Sequence, residues 1–193
     1  MLHVVASENP LTEDDFWNLY LAPMERSLAG PPRCRIRYAV ALDAEHLWFG
    51  GKVDCAPDFD QSAVGFTPEL WKHDCLELFV ASPASGRYVE FNLAPGGAWW
   101  SCVFAGPRLP DDSANRVALA SSGYPEDSNW RAVARASLAD VRAAIGDQPW
   151  TANFTSIVGG GGEELDGLHS VARLGAADFH RSHEFLPLTV EPA

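Results

Sequence analysis

The sequence predicts an all-β protein: a two-sheet antiparallel β-sandwich of the immunoglobulin-like or jelly-roll type, with one short helix. Apolar and polar residues alternate with a period of two along most of the 193-residue chain. Short polar segments rich in Gly, Pro and Asp separate the alternating runs, as turns do. Only the stretch LADVRAAIG has a helical pattern, and it ends at Gly146. Many short strands with almost no helix are typical of a sandwich.

The alternating runs predict the strands in order along the chain. They cover residues 34–43, 46–53, the strands within 70–104, and then 117–122, 130–137, 150–158 and 168–174. The Gly-rich run 159–164 is interpreted as a loop between strands. It does not match a phosphate-binding loop, because neither a Lys-Ser/Thr pair nor a helix follows it.

Length and composition predict a single domain over residues 1–193 and exclude some partners. The net charge of -12 argues against nucleic acid or an anionic membrane surface, since both require clustered Lys and Arg. No segment approaches the ~18 apolar residues of a membrane helix. The N-terminal residues lack the basic and apolar regions of an export signal, so we expect a cytoplasmic protein. The four cysteines form no CxxC pair and are expected to be free, buried thiols.

The hairpin within residues 70–104 places carboxylates among apolar residues, and its register explains how. If Val80 lies opposite Val89, then Leu78 faces Phe91, and one side of the hairpin is uniformly apolar. A slip of one residue would mix polar side chains into that apolar side. The other side then collects Cys75, Glu77 and Phe79 from the first strand and Tyr88, Glu90 and Asn92 from the second. Glu77 and Glu90 become diagonal neighbours, with Cβ atoms ~7 Å apart.

A sheet face with aromatic rings, carboxylates and an amide suits a polyhydroxylated ligand. Sugar rings present C–H faces for stacking and hydroxyl groups for hydrogen bonds to carboxylates. The alternative is a structural ion network, in which an arginine from a neighbouring strand pairs with these acids. The candidates for such pairing are Arg35, Arg37, Arg131, Arg135 and Arg173.

The same hairpin resembles the core signature of DOMON-like domains and of the related family 9 carbohydrate-binding modules. The matching stretch is LWKHDCLELFVA followed by GRYVEFNLAPGGAWWSCVF. Its motif positions are Trp71, Asp74, Glu77 and Phe79, then Tyr88, Glu90, Phe91 and Asn92, the turn 94–97, and Trp99 and Trp100. The C-terminal stretch ARLGAADFHRSHEFLPLTV is similar to the closing segment of bacterial DOMON-like proteins, with matches at Asp178, Phe179, His180 and Phe185.

The resemblance implies a two-sheet antiparallel sandwich that binds sugars or, in other branches, haem. We expect non-catalytic binding of a carbohydrate or a similar polar small molecule. The ligand would stack on Trp71 and on either Trp99 or Trp100, because adjacent residues of a strand point to opposite faces. Its hydroxyl groups would bond Glu77, Glu90 and Asn92, and the motif adds Asp74 and Tyr88 to the predicted site.

Several alternatives remain open from the sequence. Glu77 and Glu90 have a spacing compatible with the acid–base pair of a glycoside hydrolase. A sandwich with no small ligand could instead serve as a structural or protein-interaction module. Haem is disfavoured, because no His or Met stands in an attachment motif. Calcium is a better metal hypothesis, with Asp54, Asp58 and Asp60 in one loop, although a solvated acidic loop is the favoured explanation of these residues.

Overall fold

The protein folds into two sheets that pack face to face. The computed structural model describes residues 2–29, 33–114, 116–159, 167–175 and 178–188. In chain order the elements are β1 (Val4–Ala6), α1 (Glu13–Trp17), β2 (Ala22–Pro23), β3 (Ile36–Leu42), β4 (His46–Val53), β5 (Cys75–Ala81), β6 (Tyr88–Leu93), β7 (Trp99–Gly106), β8 (Leu109–Pro110), β9 (Leu119–Pro125), β10 (Trp130–Ser137), α2 (Leu138–Ile145), β11 (Thr151–Ile157), β12 (Leu168–Ser170) and β13 (Leu186–Pro187). No described helix is long or apolar enough to cross a membrane.

The first sheet, called sheet A here, has the strand order β1-β3-β4-β10-β9, with β2 also paired to β3. Its pairs are antiparallel except that of β1 with β3, which is parallel. The second, sheet B, has the order β12-β11-β5-β6-β7-β8, with β13 also paired to β11, and it is antiparallel throughout. The two sheets confirm the predicted all-β sandwich.

The core lies between the two sheets and consists of the inward side chains of their alternating strands. Tyr38 of sheet A stacks on Phe154 of sheet B with ring centroids 4.8 Å apart. Phe49 of sheet A contacts Phe91 of sheet B at 5.9 Å. All four side chains are almost fully buried, and removing one such ring typically costs about 3–5 kcal/mol of stability. These contacts determine which side of each sheet faces outward.

The predicted helix is confirmed as α2. The Ser137 hydroxyl accepts a hydrogen bond from the Asp140 N–H at its start, and Gly146 ends it with φ of 96°. A positive φ of this kind favours glycine.

A second helix, α1, was not predicted from the sequence. Its N-terminus is a capping box in which Thr12 and Asp15 exchange hydrogen bonds. Phe16 packs on the outer face of sheet A, where a Cβ at Gly50 would lie 3.1 Å from the ring. A helix of five residues is too short to show a helical period in sequence, which explains the omission.

The expectation of four free cysteines is wrong for two of them. Cys34 and Cys55 form a disulfide with Cα atoms 5.9 Å apart. Ile36 lies opposite Val53 in the β3–β4 hairpin, so extending this register brings positions 34 and 55 together. Cys75 is a buried free thiol, and Cys102 is a partly buried one. The two cysteines are 21 residues apart in sequence, so no short spacing motif predicts their pairing.

Candidate ligand-binding site

The outer face of sheet B carries the two glutamates in the predicted register. Glu77 lies opposite Asn92, and Phe79 lies opposite Glu90. The rows extend across the sheet, because Thr155 of β11 lies beside Glu77 and Cys102 of β7 lies beside Glu90. The two carboxyl groups are therefore diagonal neighbours at the centre of this face.

A cavity of about 860 Å³ covers this part of sheet B. Glu77 and Glu90 contribute to its wall between aromatic and charged groups. The aromatic side chains of the wall are Trp71, Phe79, Trp100, Phe104 and Phe179, and its other charged or titratable side chains are Lys72, Cys102, Arg108, Asp178 and His180. The volume lies in the range of ligand pockets, about 300–1,000 Å³.

Trp71 and Trp100 form an aromatic corner of the cavity. Their ring centroids are 5.3 Å apart, and the rings meet edge to face at 69°. Trp71 is 37% exposed, so part of its ring remains accessible. Trp99 points to the opposite side of β7, where it contacts Phe66 and packs against the core. Of the adjacent tryptophans, Trp100 is thus the one at the cavity.

The Glu77 carboxyl group is almost fully buried, at 2% exposure. Its Oε2 accepts a hydrogen bond of 2.7 Å from the Thr155 hydroxyl, and its Oε1 lies 3.8 Å from the Cys75 thiol, which donates to it. Burial raises the pKa of Glu77 to about 7, although these two hydrogen bonds oppose the rise. The site therefore stabilises the protonated carboxyl group relative to that of an exposed glutamate.

Glu90 is 5% exposed and has weaker partners than Glu77. Its Oε2 lies 3.8 Å from Nε2 of His180, which is beyond hydrogen-bond distance. Burial and, second, repulsion from Glu77 raise the pKa of Glu90 to about 8, while the Asn92 amide and Arg108 lower it. Two buried carboxyl groups this close cannot both ionise without a compensating cation.

The C-terminal segment 178–185 closes one side of the cavity. Nδ1 of His180 is hydrogen-bonded to the Tyr88 hydroxyl at 2.8 Å, and the Asp178 carboxylate accepts a 2.8 Å bond from Arg108. The His180 ring also contacts Phe104 at 5.2 Å. Burial lowers the pKa of His180, and Arg108 lowers it further, so this histidine favours the neutral form.

The other predicted site residues lie at the edge of the cavity or behind its wall. The Asp74 carboxylate accepts hydrogen bonds from the backbone of Asp58 and Gly159 and so fastens two loops. Tyr88 is buried beneath Phe104, with the rings stacked at 4.7 Å, and it supports His180 from below. Asn92 is buried between the two acids, and neither polar atom of its amide has a hydrogen bond of regular geometry. A direct ligand contact by Asp74, Tyr88 or Asn92 stays a prediction, as it does for Trp71, Glu77, Glu90 and Trp100 of the wall.

Four of the five arginines proposed for an ion network interact with other groups. Arg35 and Arg37 each lie 3.8 Å from Asp54. Arg131 covers the ring of Trp17, and Arg135 covers the ring of Trp48, on the outer face of sheet A. Arg173 is exposed. Within the described residues, none of these five forms an ion pair with Glu77 or Glu90, which argues against that alternative.

Two of the three aspartates of the calcium hypothesis have separate partners. Asp54 faces two arginines, and the Asp60 carboxylate accepts hydrogen bonds from the Ser62 hydroxyl and N–H. Across the described parts of the chain, no group of three or more His, Cys, Asp or Glu side chains is arranged to hold a metal ion.

Sequence reasoning missed Arg108 and did not assign Asp178, Phe179 and His180 to the site. Arg108 stands in the β7–β8 turn with φ of 54°, and no local pattern connects it with the glutamates. The segment containing Asp178 and His180 was noticed only by resemblance, and its place over sheet B depends on the long-range path of the chain. Of the Gly-rich run 159–164, only Gly159 lies within the described residues.

The two-sheet arrangement agrees with solved structures of sugar-binding proteins. A protein of Bacteroides uniformis provisionally assigned as carbohydrate-binding superposes with a TM-score of 0.67 at 16% identity, covering 98% of this chain and 97% of that one. A family 9 carbohydrate-binding module of Caldicellulosiruptor kristjanssonii in complex with glucose gives a TM-score of 0.57 at 12% identity, covering 89% and 86%.

The chain has the fold of the family 9 carbohydrate-binding modules. A family 9 module of Caldicellulosiruptor kristjanssonii in complex with cellotriose also superposes, with a TM-score of 0.61 at 9% identity over 100% of this chain and 95% of that one. No protein-family model and no curated protein matches the sequence. At such low identities the likeness concerns the fold, and the residues of the site must be argued from this chain alone.

Proposed function

We propose that the protein binds a carbohydrate, without catalysis, in the cavity on the outer face of sheet B. The observation that carries this proposal is the placement of the Trp71–Trp100 corner beside two buried carboxyl groups in one cavity of about 860 Å³. The fold shared with modules solved with glucose and cellotriose supports the same class of ligand.

Each part of the cavity wall has a role in this mechanism. The exposed part of the Trp71 ring and the Trp100 ring stack on the apolar C–H face of a sugar ring. Glu77 and Glu90 bond sugar hydroxyl groups, and either protonation state of a carboxyl group can do so, because it accepts when ionised and also donates when protonated. Tyr88 and Asp178 hold His180 and Arg108 in position at the other end.

Isothermal titration calorimetry with glucose and cellotriose tests the proposal. We expect cellotriose to bind the wild-type protein, and Trp100→Ala to weaken it by about tenfold or more through lost stacking. Trp17→Ala is the matched control, because Trp17 is also a partly buried tryptophan but lies on the outer side of sheet A. Equal losses in both variants, or no binding of either sugar, would reject the proposal and favour the structural or protein-interaction module.

Glycoside hydrolysis is a second candidate, favoured by the raised pKa values of Glu77 and Glu90. A carboxyl group that keeps its proton near pH 7 is what a general acid requires. Incubation with cellotriose and with aryl glycosides, followed by analysis of released sugar, separates the two functions. Product formation that is lost in Glu90→Gln would support hydrolysis, whereas binding without product supports the non-catalytic module.

A further inference from the structure

The cavity contains two carboxyl groups that are not paired with a cation from any of the described residues. Of the charged side chains on the wall, Arg108 is paired with Asp178 at 2.8 Å, and Lys72 is paired with Glu69 at 2.7 Å. Glu77 and Glu90 remain, each at least 95% buried. In the described structure, no hydrogen bond of regular geometry reaches the Glu90 carboxyl group, and its nearby basic group, His180, favours the neutral form.

The groups packed around the two acids do not replace the missing cation. On the strands, Cys75 and Thr155 contact Glu77, whereas Cys102 and Asn92 flank Glu90 and Tyr88 lies in the next row. The charged or titratable side chains of the surrounding segments are Lys72, Asp74, Arg108, Asp178 and His180. Burial and the nearby carboxylates raise the pKa of Cys75, so the thiol stays neutral. Arg108 lowers the pKa of Glu90 only as a minor effect after burial and Glu77. When Glu77 and Glu90 are ionised, the cavity therefore carries a negative charge that these neighbouring groups do not balance.

Aromatic rings border these acids and suit a cation as well as a sugar. Phe79 lies directly opposite Glu90, and Trp100 lies beside Asn92 in the row of Glu77. The faces of such rings attract ammonium groups when water is excluded. The buried Asn92 amide also leaves a carbonyl oxygen without a regular donor between the two acids.

We propose that the cavity prefers a sugar that carries a protonated amine, such as a glucosamine unit, over the neutral sugar of the same shape. The ammonium group would form charge-assisted hydrogen bonds with Glu77 and Glu90, while the sugar ring stacks at the Trp71–Trp100 corner. This inference rests on the proposed function, because it specifies the ligand class of the same cavity.

Proton release on binding, and the change of affinity with pH, provide a second test of the proposal. The raised pKa values of both acids mean that they carry protons near pH 6 in the free protein, and a bound cation favours their ionised forms. Binding of the amine should therefore release protons, and its affinity should increase from pH 5.5 to pH 7 as long as the ligand amine stays charged. A neutral sugar should show neither effect to the same extent.

The test compares cellotriose with the β-1,4-linked glucosamine trimer, which differs in its amino groups, by titration calorimetry of the full chain. At pH 6.5 we expect the amine to bind about tenfold tighter than cellotriose. Titrations in two buffers of different ionisation enthalpy should show more protons released by the amine. Glu90→Gln should reduce the ratio of the two affinities to near one. Glu126→Gln, the same substitution at an exposed residue of the β9–β10 turn, should leave this ratio unchanged.

The outcomes separate this inference from the proposed function. If cellotriose binds and the amine binds no tighter, carbohydrate binding stands and the amine preference is wrong. If neither sugar binds, both proposals fail. A preference that survives Glu90→Gln, or that Glu126→Gln abolishes equally, would reflect the overall negative charge and would reject the role of the cavity acids. If Glu90→Gln does not fold, the proton release of the wild-type protein decides: equal release by both sugars overturns the inference.

Discussion

The β3–β4 turn and the outer face of sheet B both bury carboxyl groups, but with opposite consequences. Asp43 in the turn is 5% exposed, the same as Glu90. It accepts four hydrogen bonds of 2.7–2.9 Å, from the Leu11, Glu45 and His46 N–H groups and the Trp48 indole. Burial raises the pKa of Asp43, but these donors lower it by more, so the net shift is downward.

The comparison teaches that donors, and not burial alone, decide what a buried acid does. Asp43 has its donors within the chain and is a structural residue that connects the N-terminal segment to sheet A. Glu77 has one strong donor, and Glu90 has none of regular geometry among the described residues. Because these two acids lack a full set of donors, a ligand can supply the missing hydrogen bonds. A buried carboxyl group is therefore structural in one region and part of a candidate site in the other.

The largest expected effect concerns the structural acid. Asp43→Ala should lower the free energy of unfolding by about 3–5 kcal/mol, because four buried donors lose their acceptor. Urea unfolding at pH 7 measures it. Asp54→Ala is the control in the same hairpin, since its arginine contacts are long and exposed and should contribute less than about 1 kcal/mol. If both substitutions lowered the free energy of unfolding equally, the hydrogen-bond donors around Asp43 would not explain its contribution to stability.

The disulfide at the other end of that hairpin should have the next largest effect. Protein prepared under oxidising conditions should show two titratable thiols after denaturation, and reduction should lower stability by about 3 kcal/mol for a loop of 21 residues. Thiol titration measures the number of free cysteines, and unfolding of the double variant Cys34→Ser/Cys55→Ser measures the loss of stability. Four titratable thiols in protein kept oxidised would contradict the pairing. The cytoplasmic location stays a prediction, and a reducing compartment would keep these thiols apart.

The pH dependence of stability should distinguish the two kinds of acid. The folded-state pKa values of Glu77 and Glu90 lie above the ordinary value of 4.5. Their contribution to the free energy of unfolding is therefore complete below about pH 4.5 and is lost as the pH rises through about 7 and 8. In the middle of that window each carboxyl group accounts for up to about 1.4 kcal/mol per pH unit. Unfolding at pH 5, 6, 7 and 8 should show this decline weakened in Glu90→Gln.

Glu13 provides the opposite case for the same experiment. Burial raises its pKa, but hydrogen bonds from Tyr124, Ser122 and Trp17 lower it by more. Its contribution is therefore present at neutral pH and lost on acidification, so Glu13→Gln should not weaken the decline between pH 5 and 8. Parallel pH profiles of wild type and Glu90→Gln would show that the sheet B acids do not have raised pKa values.

The smallest expected effect is a gain of stability. Glu90→Leu should stabilise the protein by about 1 kcal/mol at pH 8, because it removes a buried carboxylate that no cation compensates. The same change should abolish the proposed amine preference. Thermal unfolding at pH 8 checks the first result. A loss of more than about 1 kcal/mol would mean that Glu90 has structural partners like those of Asp43.

The sequence by itself did not predict the short strands β1, β2, β8 and β13, but it determined the longer strands, the sandwich and the grouping of Glu77, Glu90 and Phe79 on one face. These follow from local physics, since side chains of a strand alternate and only one register keeps the leucines together. Because adjacent residues of a strand point to opposite faces, the sequence also predicted that only one of Trp99 and Trp100 could contact a ligand. The tertiary structure decided that Trp100 is the one at the cavity, because the packing of sheet B against sheet A determines which side is the core.

Only the tertiary structure brought Thr155, Arg108, Asp178 and His180 around the two glutamates. These residues lie up to about a hundred positions away along the chain, and no local period connects them. The same long-range packing determines which donors surround an acid. The Asp43 carboxylate accepts a hydrogen bond from the Leu11 N–H of the N-terminal segment, whereas the Glu90 carboxyl group lies near the neutral His180. The sequence could therefore predict that the acids share a face, but not whether the fold would satisfy them.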